Sequence, residues 1–108
     1  MKQFASLYQL RDGWLDGEGK ALNHDDLDWL VGKASEHGMD RLSIPFYCYP
    51  MLNGGVEIDW ECGLYSISLE INLDNRQGVY DCYHTKTLDL KNDKSWQWIK
   101  NELEGIAR

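Results

Sequence analysis

This 108-residue sequence has no even set of cysteines, no long apolar run and comparatively few basic residues. Its cysteines, Cys48, Cys62 and Cys82, are odd in number and form no Cys-x-x-Cys pair. That count argues against a disulfide framework, and the spacing argues against a zinc site. We therefore expect small, apolar free thiols in a reducing compartment, and a cytoplasmic protein without metal or other cofactor.

Long hydrophobic segments are also missing. No apolar run approaches the roughly 20 residues needed to cross a membrane. The first residues carry no continuous apolar stretch of the kind found in signal peptides. Apolar residues nevertheless make up 43% of the chain, which is typical of globular proteins. We expect residues 1–108 to form a single domain that does not associate with membranes.

Acidic residues dominate the charge, and the net value is −7. Between residues 12 and 40, Lys20 and Lys33 are outnumbered by acids. Such a surface repels nucleic acid and anionic lipid, so neither is an expected direct partner. A basic protein surface or a cation is the complementary partner, and the alternative is that the acidity serves solubility alone.

Helical patterns precede and follow the strands. Residues 3–10 have a short apolar side. In the next helix Asn23 is a suitable N-cap, Asp26 stands where a capping-box acid belongs, and Gly38 is the expected C′ residue. Residues 93–107 repeat apolar side chains at helical spacing and predict the last helix.

From residue 42 the apolar period changes to two, which predicts strands. Pro45 cannot donate to a ladder and places the first strand at an edge or beside a bulge. The short turns between the strands permit only antiparallel neighbours. The expected fold is α+β: a four-stranded antiparallel β-meander packed against two or three helices in the order α-α-β-β-β-β-α. The predicted strands cover residues 42–49, 56–60, 65–73 and 79–86.

No sequence motif indicates a particular catalytic reaction or bound ligand. The glycine-rich loop around Trp14 has neither the residue spacing nor the Ser or Thr of a phosphate-binding loop. It also lacks the ligand spacing of a calcium-binding loop. We therefore interpret it as a turn with Trp14 packed into the core. Cys82 and His84 are the nearest approach to a nucleophile and base. A metal-dependent nuclease would need a lysine and a basic substrate channel beside the strand carboxylates, but the nearest lysine is Lys86 and no basic channel is evident. Acid–base hydrolysis would need a pair of carboxylates, and no pair here is distinguished from the others. We therefore predict a protein that is not an enzyme.

The remaining feature is a set of carboxylates bordered by aromatic side chains. Glu57 and Asp59 share one side of a predicted strand, and Tyr47 and Tyr49 lie opposite the apolar side of another. Aromatic residues beside acids suit an interface with a cationic protein, although the tyrosines could instead simply cover a small sheet. The predicted partner-binding residues are Asp25, Asp26, Asp28, Tyr47, Tyr49, Glu57, Asp59 and Glu70.

Three stretches, in this order, carry a resemblance: Leu10–Gly19, then Pro50 with Asn53–Trp60, then Tyr65–Ile71. Together they resemble a group of small, uncharacterised bacterial and phage proteins with a Gly-Trp-Asp-Gly-x-Gly loop and a Gly-Gly-Val-x-Leu-Glu-Trp strand. The sequence departs from that pattern by inserting Leu15 after Trp14 and by having Asp59 where Glu is usual. The resemblance implies the fold and a mobile-element setting, in which inhibitors of host defence such as anti-CRISPR proteins are common, and it implies no catalytic residue.

The leading functional hypothesis is a non-enzymatic inhibitor that occupies a basic surface of a nucleic-acid-handling defence complex, in the manner of an anti-CRISPR protein. One alternative is an antitoxin or immunity-type partner that neutralises a toxin through a hydrophobic groove. Another is a small hydrolase or a thiol enzyme centred on Cys82 and His84. The sequence leaves the oligomeric state open, with a homodimer among the alternatives.

Overall fold

The α+β class and the antiparallel sheet are confirmed in the computed structural model, which describes residues 1–107. The chain begins with a 3₁₀ helix and ends with an α-helix, and the strands lie between. In order, the elements are the 3₁₀ helix Lys2–Gln9, α1 (His24–Glu36), a 3₁₀ turn (Met39–Arg41), β1 (Phe46–Pro50), β2 (Val56–Cys62), β3 (Tyr65–Asn72), β4 (Gln77–Asp81), β5 (Thr85–Asp89) and α2 (Asp93–Ile106).

The ends of α1 follow the capping residues that the sequence predicts. Asn23 is the N-cap, and its Oδ1 accepts a hydrogen bond from the backbone N–H of Asp26 at 3.0 Å. Gly38 has a φ of 71°, and its N–H donates to the carbonyl of Ser35 at 3.0 Å. A left-handed residue at this position is favourable for glycine because it has no Cβ, so the helix ends here.

The prediction of four strands is wrong, because the sheet has five within residues 1–107, in the order β1-β2-β3-β4-β5. The segment predicted as one strand over residues 79–86 divides into the end of β4 and the start of β5. Between them the backbone N–H of Cys82 donates to the carbonyl of His84 at 3.3 Å, and the chain reverses there. All four neighbouring strand pairs in this meander are antiparallel.

The first strand is an edge strand, as Pro45 predicts. It begins at Phe46 and not at Leu42, because Pro45 has no N–H to donate to a ladder. Ile44, which precedes the strand, is still buried. The apolar alternation before Phe46 therefore reflects packing of this segment against the core and not pairing in the sheet.

One face of the sheet packs under the helices and forms the hydrophobic core. Alternate residues on the strands point to this side, in agreement with the pairing register. Helix α1 adds Leu27 and Leu30 to the core, and α2 adds Trp96, whose Nε1 donates to the carbonyl of Leu90 at 2.8 Å. The buried sheet residues include Phe46, Val56, Ile58, Trp60, Ile67, Leu69, Ile71, Tyr80 and Leu88.

The glycine-rich loop does not insert its tryptophan into this core, in contrast to the interpretation from the sequence. Trp14 remains partly exposed, and its Nε1 donates to the carbonyl of Lys20 at 3.0 Å. Gly19 packs so closely on the indole that a Cβ there would lie 2.6 Å from the ring. The loop is therefore closed by its own side chain.

The helices within residues 1–107 are all too short or too polar to cross a bilayer.

Candidate functional site

The side of the sheet away from the helices, which we call the open face, is acidic. Its residues are those that alternate with the core residues along each strand, and all of them are at least partly exposed. Carboxylates occur on four of its five strands, and neither lysine nor arginine is among its members. The open face consists of Tyr47, Tyr49, Glu57, Asp59, Glu61, Ser66, Ser68, Glu70, Asn72, Gln77, Val79, Asp81, Thr85, Thr87 and Asp89.

A row of side chains crosses the open face from one tyrosine to a valine. Tyr49 on β1 pairs with Glu57 on β2, Glu57 pairs with Glu70 on β3, and Glu70 pairs with Val79 on β4. Neighbouring strands lie about 4.8 Å apart, so the two carboxylates of this row are close neighbours. Like charges directly opposite each other on a sheet repel, and this arrangement costs stability.

A third carboxylate, Asp59, is close to Glu57 on the same strand. The pKa of Glu57 is raised, first by a side-chain hydrogen bond with Asp59, then by partial burial and by the charges of Asp59 and Glu70. One oxygen of Asp59, Oδ1, is enclosed and has no hydrogen-bond partner within residues 1–107. Within residues 1–107 no lysine, arginine or histidine forms an ion pair with these three carboxylates.

The ion pairs of the described residues lie elsewhere. They join Lys33 to Glu36 and Asp93, His37 to Asp93, and Arg76 to Asp26. Within residues 1–107 none of them includes an acid of the open face. The bordering tyrosines also remain accessible, since Tyr47 is 45% and Tyr49 is 47% exposed. Carboxylates and aromatic rings on this face are thus available to a partner.

The structure separates the predicted partner-binding residues into two groups. The first group lies together on the open face and consists of Tyr47, Tyr49, Glu57, Asp59 and Glu70.

The three predicted residues of α1 lie in the helical layer, on the other side of the sheet, because α1 packs against the core. Asp26 accepts a hydrogen bond from Nη2 of Arg76 at 3.0 Å, and Asp28 accepts one from the hydroxyl of Tyr8 at 2.7 Å. Asp25 is exposed at the start of α1. Asp26 and Asp28 therefore belong to local contacts between α1 and its neighbours, and none of the three helix acids extends the open face.

A cluster of Glu36, His37 and Asp93 between α1 and α2 has the composition of a metal site, with ligand atoms within 4.8 Å of one another. The ammonium of Lys33 already lies 2.8 Å from Oδ1 of Asp93 and 3.8 Å from Oε2 of Glu36. Hydrogen bonds from Lys33 and then His37 lower the pKa of Asp93. The arrangement is an ion-pair network that joins two helices.

The residues considered for thiol chemistry lie in the bend between β4 and β5. His84 is exposed, and Cys82 is partly buried. Within residues 1–107 no hydrogen bond joins the Cys82 thiol to the His84 imidazole. Lys86, the lysine closest to the strand carboxylates in the sequence, points to the helical side, where its Nζ lies 4.2 Å from the centre of the Trp98 ring. Within residues 1–107 this geometry therefore places no hydrogen-bonded base on the Cys82 thiol and does not place Lys86 beside the strand carboxylates.

Sequence reasoning missed a cleft at one end of the open face. It has a volume of about 270 Å³ and lies between the β1–β2 turn and the β3–β4 turn. Asparagines at these turns were interpreted only as turn residues, and their convergence on Glu70 depends on the pairing register. The cleft is lined by Met51, Asn53, Glu70, Ile71, Asn72, Asn75, Gln77 and Val79.

Comparisons of the chain with protein-family models, with curated proteins and with solved structures found no match. The resemblance to small bacterial and phage proteins therefore stays a prediction, and the functional argument depends on the geometry of the open face.

Proposed function

We propose that this protein is a binding module, without catalytic activity, that covers a basic surface on a partner protein with its open face. The observation that carries the proposal is the grouping of Glu57, Asp59 and Glu70 on a face that contains no lysine or arginine and whose acids form no ion pair within residues 1–107. Such a face attracts positive charge over a distance and attracts it more strongly at low ionic strength.

The tyrosines beside the acids supply the contact area. Tyr47 and Tyr49 present large, rigid rings at the edge of the acidic cluster, and rings of this kind often provide much of the binding energy at protein interfaces. A partner surface that normally holds nucleic acid has the required positive charge. Occupying it would prevent nucleic acid from binding, which is how an inhibitor of a defence complex, such as an anti-CRISPR protein, would act.

The test compares two neutralised variants with the same change in net charge. One carries Glu57→Gln, Asp59→Asn and Glu70→Gln on the open face. The other carries Asp16→Asn, Glu18→Gln and Asp25→Asn, which are exposed residues outside it. Immobilised wild-type protein and both variants are incubated with lysates of candidate host bacteria, and retained proteins are identified by mass spectrometry.

We expect the wild type and the second variant to retain the same basic protein and the first variant to lose it. The purified partner should then bind DNA or RNA less well when this protein is added. Equal retention by both variants would contradict the proposal, and so would a retained partner whose nucleic-acid binding is unaffected.

A second candidate, an antitoxin-type partner, is supported by an apolar tip at the other end of the sheet. Leu64 is 104% and Tyr83 is 82% exposed, and the rings of Tyr83 and Tyr65 pack edge to face with centroids 5.4 Å apart. Leu64→Ser with Tyr83→Ser should abolish capture of a cognate toxin and leave capture through the open face unchanged. Retention of the toxin by that double variant would exclude this role for the tip.

A further inference from the structure

The cleft at the end of the open face is held open by two turns of fixed conformation. Gly55 in the β1–β2 turn packs against β3 so closely that a Cβ would lie 2.5 Å from the carbonyl oxygen of Ile71. Asn53 holds this turn, because its Oδ1 accepts the N–H of Gly55 at 3.0 Å. One wall of the cleft is therefore set by backbone packing.

The opposite wall is fixed by asparagine side chains in the β3–β4 turn. Oδ1 of Asn72 accepts the N–H groups of Asp74 at 2.9 Å and Asn75 at 3.3 Å. Oδ1 of Asn75 in turn accepts the N–H of Gln77 at 3.0 Å. These side chains are oriented before any ligand arrives, which lowers the entropy cost of binding.

The charge inside the cleft comes from Glu70, the charged member of its lining. Its cross-strand neighbour Glu57 adds a second negative charge from outside the cleft. Arg76, the nearest arginine along the chain, points to the helical layer, where it pairs with Asp26 and lies 4.3 Å from the centre of the Trp29 ring. Its guanidinium therefore does not occupy the cleft.

The walls beside Glu70 include apolar groups. Met51 follows β1, and Val79 is the direct cross-strand partner of Glu70. A ligand that suits this lining has an apolar stem and a positively charged end. The volume of about 270 Å³ is just below the range typical of pockets for drug-sized ligands, so it suits one long side chain better than a cofactor.

We propose that the cleft receives an arginine side chain of the partner, with its stem against Met51 and Val79 and its guanidinium on Glu70. Arginine is favoured over lysine because its planar fork of N–H groups matches a carboxylate and leaves further donors for the carboxamide oxygen of Gln77. An arginine that fills a pocket is a frequent source of binding energy at interfaces. The inference rests on the proposed function, since it names the group that the basic partner would insert.

The test uses small probes and needs no identified partner. N-acetyl-L-arginine amide is titrated into the ¹⁵N-labelled protein, and N-acetyl-L-lysine amide and N-acetyl-L-citrulline amide are titrated separately. Citrulline has nearly the shape of arginine without its charge. NMR chemical shifts of the backbone N–H of Val79 and of the side-chain NH₂ groups of Asn53, Asn72 and Gln77 report occupation of the cleft.

We expect saturable shifts at these groups with the arginine probe, with a dissociation constant of about a millimolar. Binding should be about tenfold weaker for the lysine probe and should not saturate for the citrulline probe. Equal binding of lysine would contradict the preference for a guanidinium. Saturation by citrulline, or shifts that lie elsewhere on the protein, would refute the site.

Three variants locate the site. Val79→Phe fills the cleft and should abolish binding of the arginine probe, whereas Thr87→Phe places the same ring on the neighbouring strand outside the cleft and should leave binding unchanged. Glu70→Gln should weaken binding about tenfold by removing the charge. Binding that survives Val79→Phe and Glu70→Gln would overturn the inference.

Failure here is distinguishable from failure of the proposed function. If the neutralised open face loses the partner but the arginine probe leaves the cleft unperturbed, the binding face stands and this inference is wrong. If the probe occupies the cleft but neutralising Glu57, Asp59 and Glu70 does not affect partner capture, the proposed function is wrong.

Discussion

Glu57 on β2 lies directly opposite Glu70 on β3, and within residues 1–107 neither carboxylate has an ion-pair partner. Opposite charges would stabilise a cross-strand pair, whereas like charges at this position destabilise the sheet. The sheet is therefore less stable with this pair than it would be with opposite charges at the same two positions. The proposed binding of a basic partner would account for this cost, because the partner would relieve the repulsion.

Removing one of the two charges should make the folded protein more stable at neutral pH. We expect Glu57→Gln to raise the free energy of unfolding by a few tenths of a kcal/mol, and by no more than about 1 kcal/mol. Solvent screening keeps the gain small. Urea unfolding followed by tryptophan fluorescence measures this difference.

The gain should depend on pH. Because the pKa of Glu57 is raised in the folded state, its penalty is absent below the ordinary glutamate pKa and develops as pH rises through the raised value. The difference between Glu57→Gln and wild type should therefore be present at pH 7 and vanish towards pH 4. Glu61→Gln is the matched control, since Glu61 faces Ser66 across the strands. An equal gain in both variants, or one independent of pH, would contradict the repulsion.

Salt should act mainly on the rate at which the partner associates. Raising ionic strength from about 0.1 M to about 0.5 M shortens the Debye length and screens the attraction to the open face. The association rate constant should fall strongly while the dissociation rate constant changes little. Surface plasmon resonance with the identified partner measures both. An association rate that does not respond to salt would remove the electrostatic part of the proposal.

The tyrosines should set the lifetime of the complex. Tyr49→Ala removes a ring from the border of the acidic cluster, and we expect the dissociation rate to rise about thirtyfold, the equivalent of about 2 kcal/mol. Tyr83→Ala is the control, because that ring is exposed at the opposite end of the sheet. If Tyr83→Ala had the larger effect, the apolar tip and not the open face would be the docking surface.

Glycine substitutions should separate close packing from backbone entropy. Gly55→Ala places a Cβ 2.5 Å from the carbonyl oxygen of Ile71, so it should destabilise the protein by about 1–3 kcal/mol. Gly32→Ala in α1 meets no atom within 4 Å and should stabilise it by about 0.5–1 kcal/mol. Thermal unfolding of both variants tests the pair. An unfolding temperature of Gly55→Ala that does not fall would show that the Gly55 backbone does not approach β3 this closely.

Cys48 should resist alkylation in the folded protein. Burial, and then the charge of Asp59, raises the pKa of its thiol to about 12, so little thiolate is present at pH 8. Peptide mass spectrometry after a brief iodoacetamide pulse should show Cys48 unmodified in the native protein and modified in urea. The Cys48→Ser variant should show the same native labelling of the remaining cysteines as wild type. Rapid native modification at Cys48 would disprove its low reactivity.

Much of the fold could be predicted because the signals are local. Asn23 and Gly38 determine the ends of α1 through capping interactions within a few residues of each. The alternation in β3 identifies both its core residues and its polar side. Strand β5 was missed because its only buried residue is Leu88, so it has no apolar alternation to detect.

The site was less predictable because it depends on pairing between distant segments. The alternation in β2 places Glu57 and Asp59 on one side, but it does not specify that Glu70 lies opposite Glu57. The pairing of Asp26 with Arg76 joins residues fifty positions apart, and no local pattern indicates it. The sequence therefore could not show that the acids of α1 and those of the sheet lie on different sides of the molecule.

The uniform sign of the open face also restricts how this chain can assemble with itself. Two copies that met through their open faces would bring carboxylates against carboxylates with no arginine or lysine between them, and they would repel each other at neutral pH. A homodimer at that pH would have to use the helical side, an edge strand (β1 or β5) or the ends of the sheet. Each copy would then keep its acidic face turned outwards, so that one assembly could engage two basic partners at once.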